Sequence, residues 1–348
     1  MKTVLHVLSM NWFSGAENVA ITLIRGFHER NLPYHFIYAS PAGPIKETVE
    51  ENGIEFRSID SVSLIEIKRL INEVKPDIIH AHDRTASVVC AIASGGVPVI
   101  SQLHNNSPWM KKINAKTLLY GLSCIKYKKI LGVSHSVFSE FIFNWFIRDK
   151  EIVVGNPVDT SRVRELAQKE DSEGKYDVCS LGRLTPPKNP LLFLDAMRLL
   201  CNRKRDLKIA MIGDGEMRKE VEQKIEQLHL SNNIFLLGFQ KNPYPYLFKS
   251  RVLCITSKWE GFGLAAVEAL ALGKPVVSSN VGGLSDIITD NCGVFCKTEK
   301  EFSDAIYNLL DDDHCYQKMS EGALERASEL DNMDLYVELI DSIYTELR

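Results

Sequence analysis

Short apolar runs alternate with longer amphipathic segments along the whole chain. This alternation is typical of βα units, in which helices cover a parallel sheet. In the first half it predicts strands at 3–9, 35–39, 54–58, 78–80, 97–102, 129–133 and 152–154. It predicts helices there at 17–29, 45–52, 64–74, 84–94, around 116–126 and 136–143.

The alternation stops at Asn156-Pro157-Val158-Asp159 and at a polar segment, 168–175, and then resumes. The second half predicts strands at 176–181, 207–212, 234–237, 252–255, 276–278 and 293–295. It predicts helices at 189–200, 216–227, 243–248, 264–272, 284–288, 299–311, 313–326 and 334–347. We therefore expect an α/β protein of two doubly wound domains, 1–157 and 158–332, facing across a cleft with a hinge near residue 157.

Composition agrees with two ordinary globular domains. The 348 residues exceed one typical core, and 45% are hydrophobic and 25% charged. A net charge of −4 argues against a general nucleic-acid binder. No apolar run is long enough to span a bilayer, and the N-terminus reads as a buried strand instead of a signal peptide. The eight scattered cysteines indicate buried thiols of a cytoplasmic protein, with no complete zinc-binding set.

The segment 257–279 carries the strongest chemical signal. Glu260 and Glu268 are eight positions apart, on either side of the turn Gly261-Phe262-Gly263 and the start of a helix. Glycines let the backbone approach a ligand, and the free N–H groups of a helix start favour an anion. The two carboxylates could hold two hydroxylated parts of one ligand, such as a sugar joined to a ribose through phosphates.

Two glycine turns follow other predicted strands of the second half. Gly182-Arg183 with Lys188 offers a bidentate cation and a point charge, which suits phosphate. Gly213-Asp214-Gly215 resembles a dinucleotide fingerprint that lacks its third glycine, so NAD binding is weakly indicated and Asp214 could simply cap a helix.

The first half offers fewer candidates. Gly15 lies at a predicted helix N-terminus, an anion site, and Glu17 is either functional or a favourable first-turn charge. His80 and His82 face the same way on a strand, but no further metal-binding residue is evident, so we expect no metal. His104 ends a predicted strand at its carboxyl end, where ligands bind in such folds.

In this order the motifs resemble the retaining glycosyltransferases of family 4, which have the GT-B fold. The matching positions are Ser14-Gly15, His104, Asn156 to Asp159, Gly182-Arg183 with Lys188, Gly213 to Gly215, Glu260, Glu268 and Gly282-Gly283. Ser14 departs from a glycine pair common in the family, and Pro157 stands where a glycine is frequent.

The resemblance implies a function and a role for each residue. A sugar of hexose type would move, with retention, from a UDP- or GDP-linked donor to a glycan or lipid-linked acceptor, with no cofactor and no metal ion. It implies that the last helix, 333–348, crosses back onto the N-terminal, acceptor-binding domain, and that the C-terminal domain binds the nucleotide sugar. The implied site consists of catalytic His104 and Glu260; Gly15, Arg183 and Lys188 on the diphosphate; Glu260, Gly261, Phe262 and Gly263 on the sugar; and Glu268 on the ribose.

A basic and apolar stretch, 109–129, marks a candidate surface for the acceptor. No acidic residue occurs between Asp83 and Glu140, whereas seven cations do. Such a surface can lie on an anionic membrane, although a solvated helix face is an equally good interpretation. We expect a cytoplasmic protein in cell-surface polysaccharide synthesis, peripheral on the membrane through this stretch and without a nucleic-acid partner.

Other functions fit the same two-domain pattern. They are a nucleotide-sugar epimerase, a glycosyl phosphorylase, a dehydrogenase, which the incomplete glycine fingerprint disfavours, and a non-catalytic nucleotide-sugar sensor. Turnover of a donor in the presence of an acceptor separates an enzyme from a sensor.

Overall fold

The computed structural model describes residues 1–105, 108–169 and 174–347. The chain divides into two units. Unit 1 contains residues 1–157 and 332–348, and unit 2 contains residues 158–331. Each has its own parallel sheet and its own buried core.

Unit 1 is built on a parallel sheet of seven strands in the order β3-β2-β1-β4-β5-β6-β7. The strands are β1 (Lys2–Val7), β2 (Tyr34–Pro41), β3 (Glu55–Ile59), β4 (Ile78–His82), β5 (Val99–Leu103), β6 (Tyr127–Gly132) and β7 (Glu151–Val153). The helices are α1 (Gly15–Glu29), α2 (Ile45–Glu51), α3 (Leu64–Val74), α4 (Arg84–Ala93), α5 (Ala115–Ser123) and α6 (His135–Ser139), with single 3₁₀ turns at Pro108–Lys111 and Asn144–Phe146.

The last helix of the chain, α15 (Met333–Glu346), packs in unit 1. Tyr336, Val337, Ile340 and Tyr344 are almost fully buried and join one core cluster with residues of α1, β1 and β2. The expectation that the C-terminal helix returns to the N-terminal half of the chain is therefore confirmed.

Unit 2 repeats the doubly wound plan with six parallel strands in the order β10-β9-β8-β11-β12-β13. The strands are β8 (Tyr176–Leu181), β9 (Ile209–Ile212), β10 (Ile234–Gly238), β11 (Ser250–Ile255), β12 (Val276–Ser279) and β13 (Gly293–Cys296). The helices are α7 (Thr160–Lys169), α8 (Pro190–Arg203), α9 (Arg218–Gln227), α10 (Tyr244–Phe248), α11 (Leu264–Ala271), α12 (Leu284–Ile287), α13 (Glu299–Asp311) and α14 (Asp313–Leu330), with a 3₁₀ turn at Pro186–Lys188.

The predicted α/β class and the strand pattern are confirmed. Two predictions were wrong in detail. The segment after Asp159, where no helix was predicted, forms α7, which buries only Val163, Ala167 and Thr160 and so shows little apolar periodicity. The helix predicted at 136–143 ends as α6 at Ser139. All eight cysteines are free, and seven of them are buried as expected.

Candidate active site

The candidate residues of unit 2 follow neighbouring strands. In a parallel sheet the carboxyl ends of all strands lie at one edge, so the turns after β8, β9, β11 and β12 share that edge. Hydrogen bonds tie the turns together. The amide of Lys258 donates to the carbonyl of Pro187 over 2.7 Å, and the Thr256 hydroxyl donates to the carbonyl of Asn189 over 3.0 Å.

Lys188 and Glu260 form an ion pair at this edge. The Lys188 ammonium lies 2.5 Å from Oε1 of Glu260, and the Ser257 hydroxyl donates to the same oxygen over 2.7 Å. The Lys188 side chain is 31% exposed and that of Glu260 only 12%. An ammonium has three N–H groups, so Lys188 keeps donors for a further acceptor while it holds Glu260 in place.

Glu268, in the second turn of α11, belongs to the same cluster. Its carboxylate accepts a hydrogen bond of 3.1 Å from the Tyr244 hydroxyl. Burial raises its pKa to about 7, against smaller downward effects of that hydrogen bond and of the Lys188 charge. Lys188 therefore interacts with both carboxylates, through an ion pair with Glu260 and through the effect of its charge on Glu268.

The backbone between the two glutamates is held by glycines. Gly263 has φ +109°, which L side chains rarely adopt, and a Cβ there would also meet Leu284. A Cβ on Gly282 would overlap the carbonyl of Glu260. The turn after β12 thus packs directly on the turn that carries Glu260, and only glycine permits that approach.

Arg183 lies at the same edge but is not part of the ion-paired cluster. It is exposed, and among the described residues its guanidinium has no ion pair or hydrogen bond. The amide of Leu184 donates to the carbonyl of Asp214 over 2.9 Å, which joins the turns after β8 and β9. Asp214 pairs with Arg218, in the first turn of α9, at 3.3 Å.

In unit 1, Gly15 is exposed at the start of α1. Glu17 is buried there and accepts a hydrogen bond from the Ser14 hydroxyl. Ser14, the position that departs from the family pattern, therefore has a local structural role.

His104 directly follows β5 and is half-buried. Its Nε2 lies 2.9 Å from Nδ1 of His82, whose Nε2 lies 2.8 Å from Nδ1 of His6. Burial, with a smaller effect of the Arg84 charge, lowers the pKa of His104 to about 3. The imidazole is thus neutral at ordinary pH.

A third histidine lies beside His80 and His82, although the sequence showed no further metal-binding residue; that the protein binds no metal stays a prediction. His6, directly opposite His80 on the neighbouring strand β1, brings one nitrogen of each of the three rings within 4.8 Å of one another. His6 was missed because a single histidine in an apolar strand gives no signal until strand order and register are known.

The stretch 109–129 places apolar and basic side chains on the surface of unit 1. Five large aliphatic residues are between 46% and 67% exposed: Ile113, Leu118, Leu119, Leu122 and Ile125. Lys112, Lys126 and Lys128 are exposed beside them. Lys111 and Lys129 instead pair with Glu140 and Glu346 at 3.1 and 3.2 Å. Within the described part of the chain, no helix has the length and apolarity needed to cross a bilayer.

Comparison with known families accounts for the order of these motifs. The family model "Glycosyltransferase Family 4" matches residues 13–162, and the model "Glycosyl transferases group 1" matches residues 162–326. The chain belongs to glycosyltransferase family 4. The two matches meet close to the boundary between units 1 and 2, so each half of this family 4 protein contributes one unit.

Relatives and solved structures agree with the family assignment. A UDP-Gal:alpha-D-GlcNAc-diphosphoundecaprenol alpha-1,3-galactosyltransferase of Escherichia coli is 25% identical over 96% of each chain. An uncharacterized glycosyltransferase of Methanocaldococcus jannaschii, MJ1059, is 26% identical over 62% of this chain and 58% of its own length. The structure of Anabaena HepE with UDP and glucose superposes with a TM-score of 0.86 at 21% identity over all of both chains, which confirms the GT-B fold.

Several site residues were not predicted. Ser257 and Tyr244 hold the two glutamates, and Tyr344 reaches the histidines from the last helix. Tyr244 and Tyr344 contact residues that are distant in sequence, and Ser257 lies beside a motif that does not include it. None has a spacing that marks it in the chain.

Proposed function

We propose that this family 4 enzyme transfers a hexose-type sugar, with retention of anomeric configuration, from a nucleotide-sugar donor to a lipid-linked glycan in cell-surface polysaccharide synthesis. The observation that carries the proposal is the cluster of Lys188, Glu260 and Glu268 at the carboxyl edge of the unit 2 sheet. One cation and two carboxylates at glycine turns match a ligand that joins phosphate to two polyhydroxylated groups.

Each side chain has a role that follows from its surroundings. Lys188 and the exposed Arg183 neutralise the diphosphate, whose charge grows as the bond to the sugar breaks. Glu268 accepts hydrogen bonds from the ribose hydroxyls, and Glu260 and the backbone at Gly261, Phe262 and Gly263 bind the transferred sugar. In unit 1, Gly15 presents helix N–H groups to the phosphates, and His104 contacts the sugar.

The environment of Glu260 favours binding over nucleophilic attack. Its Oε1 already accepts hydrogen bonds from Lys188 and Ser257, which reduces the nucleophilicity of the carboxylate. We therefore infer a front-face reaction through an oxocarbenium-like transition state. In it the departing phosphate oxygen takes the proton of the acceptor hydroxyl, and side-chain cations supply the charge stabilisation without a metal ion.

Two similar proteins support this choice of donor and acceptor. The Escherichia coli relative is named for a UDP-linked donor and a diphosphoundecaprenol acceptor, and HepE was solved with UDP and glucose. We accordingly favour a UDP-linked hexose and a polyprenyl diphosphate-linked acceptor for this chain.

Product analysis tests this function. Purified full-length protein is incubated with UDP- and GDP-hexoses and a polyprenyl diphosphate-linked sugar, and the new anomeric centre is assigned by NMR. We expect an axial product from an axial donor and the loss of turnover in Glu260→Ala. An inverted product would contradict retention. Donor hydrolysis or epimerisation without transfer, or binding without turnover, would show that another function is correct.

We further propose that unit 1 attaches peripherally to anionic membranes through the stretch 109–129. Leu118, Leu119 and Leu122 are exposed on the side of α5 opposite its buried Thr117, Tyr120 and Ser123. Exposed lysines beside a strip of exposed leucines are the arrangement that binds a lipid interface by apolar insertion and charge attraction.

Charge reversal tests the attachment. Each lysine near an anionic surface contributes about 1 kcal/mol, so Lys112→Glu, Lys126→Glu and Lys128→Glu together should weaken vesicle binding by about two orders of magnitude or more. Lys204→Glu, Lys208→Glu and Lys219→Glu, exposed in unit 2, make the same charge change as a control. Equal binding of both triple variants to phosphatidylglycerol vesicles in flotation assays would refute the proposal.

A further inference from the structure

A row of polar side chains crosses one face of the unit 1 sheet. His6 on β1 is opposite His80 on β4, and His82 is opposite Gln102 on β5. Successive residues of a strand alternate between faces, so His80 and His82 share a face, and His104 continues it beyond Gln102. The side chains of His6, His80, His82 and Gln102 are fully buried, and that of His104 is half-buried.

Tyr344 of the last helix, α15, adds one more side chain to this row. The Tyr344 hydroxyl of α15 lies 2.7 Å from Nδ1 of His80 and 3.4 Å from Nε2 of His6. From His6 the chain of hydrogen bonds runs through His82 to Nε2 of His104. Five side chains, from α15, β1, β4 and the end of β5, thus form one continuous path.

The position of each proton along the path follows from the surroundings of His80, which lies near Gln102. Gln102 Nε2 donates to the Tyr336 hydroxyl over 2.9 Å, so its buried Oε1 is the atom left to accept. His80 Nε2 is also buried and has no other partner among the described residues. Burial lowers the pKa of His80, and the Gln102 side chain opposes this shift, although the two atoms do not meet hydrogen-bond geometry. A proton on Nε2 of His80 gives the buried Gln102 oxygen a donor to approach, whereas a lone pair on that nitrogen would leave both atoms without a donor.

The remaining protons then have one consistent arrangement. With Nε2 of His80 protonated, its Nδ1 accepts the Tyr344 proton, and the Tyr344 oxygen accepts from Nε2–H of His6. Nδ1 of His6 then accepts from Nε2–H of His82. Nδ1 of His82 accepts in turn from Nε2–H of His104, because a neutral imidazole carries one proton.

We propose that this row fixes His104 as the Nε2–H tautomer, so that Nδ1 presents a lone pair to a hydroxyl group of the bound sugar. Nδ1 is buried, and it is the one nitrogen of the ring that lacks a partner among the described residues. His6, His80, His82 and Tyr344 are positioning residues, and the last helix thereby helps to set the protonation of the candidate catalytic residue. The inference rests on the proposed function, deepening the role of His104.

Breaking the row should lower the turnover number and leave donor binding nearly unchanged. Outer partners that fix a histidine tautomer in metal sites are worth 10- to 100-fold in activity, so we expect Tyr344→Phe to lower kcat about tenfold with little change in the KM for the donor. Tyr34→Phe is the matched control. Its hydroxyl also bonds the last helix, at Asp341 over 2.6 Å, but makes no hydrogen bond to the row, and the variant keeps the ring that packs against Tyr344.

NMR reads the tautomer independently of activity. The full chain is labelled with ¹⁵N-histidine, and the signals of His104 are assigned by their loss in His104→Gln. Long-range ¹H–¹⁵N spectra should show only Nε2 protonated in wild type and in Tyr34→Phe, and a mixture in Tyr344→Phe. If Tyr344→Phe does not fold, Gln102→Met, which removes the acceptor at the far end, should give the mixture.

Two results would overturn the proposal: a proton on Nδ1 of His104 in wild type, or equal kcat in Tyr344→Phe and Tyr34→Phe. Absence of sugar transfer by the wild type with every donor would instead count against the proposed function, and the NMR spectra would still decide the tautomer.

Discussion

At the scale of single residues, the sequence predicted the charged residues that lie together in unit 2 but not their partners. Glu260, Glu268 and Lys188 were predictable because they stand beside glycine turns after predicted strands. The Lys188–Glu260 pair was not, since it joins residues 72 positions apart. It depends on β8 and β11 being neighbours, which is a property of strand order.

Glu268 should make stability depend on pH in a defined direction. Its pKa is raised from 4.5 to about 7 in the folded protein, so its protonated form is favoured on folding. The contribution is fully present below about pH 4.5 and is lost as the pH rises through 7. The Tm of wild type minus that of Glu268→Gln should therefore fall across this window.

Thermal melts of the two proteins at a series of pH values check this. The difference in Tm between the two proteins should not change with pH below about 4.5 or above about 7. A difference that rises with pH would mean that the carboxylate, not the acid, is the form stabilised by its surroundings.

At the scale of elements, apolar periodicity predicted nearly every strand and most helices, because parallel strands are buried on both faces. It failed at α7, whose sequence is mostly polar and whose few buried residues pack on unit 2. It also could not reveal the histidine row, since a face of a sheet combines residues from strands that are separated along the chain.

The turn before α11 should be intolerant of a side chain. Gly263→Ala adds both positive-φ strain and a clash with Leu284. Gly238→Ala, in the same unit, also places a side chain at positive φ, +69°, but only the flexible Arg218 side chain is nearby at 3.6 Å, so it is the control without a clash. We expect Gly263→Ala to be less stable than Gly238→Ala by about 1–3 kcal/mol, the usual cost of overpacking.

Denaturant titration of both variants measures this difference, and nucleotide binding gives a second readout. Gly263→Ala should also weaken UDP binding, because Glu260 directly precedes the turn and α11, which carries Glu268, follows it. Equal stability of the two variants would show that Leu284 moves aside without cost.

At the scale of the whole molecule, two units with separate cores share one chain, and the last helix belongs to the first unit. Ile340 is fully buried in that core, whereas Leu335 on the same helix is 69% exposed. Ile340→Ala should destabilise unit 1 by about 2–5 kcal/mol, and Leu335→Ala should have little effect.

Hydrogen exchange followed by mass spectrometry locates the loss. In Ile340→Ala, faster exchange should be confined to peptides of residues 1–157 and 332–348. Equally faster exchange in peptides of 158–331 would mean that both units unfold as one cooperative body.

We propose above all that unit 2 binds a nucleoside diphosphate through side-chain cations and carboxylates. Calorimetric titration of UDP and GDP into the full chain, with EDTA present, tests it most directly. Charge-assisted hydrogen bonds contribute about 1.5–3 kcal/mol, so Lys188→Ala should weaken binding about 10- to 100-fold, and Glu268→Ala should also weaken it. Lys224, whose exposure is similar to that of Lys188, pairs with Asp195 in the same unit, and Lys224→Ala should leave binding unchanged. Wild-type affinity in Lys188→Ala and Glu268→Ala would contradict the account.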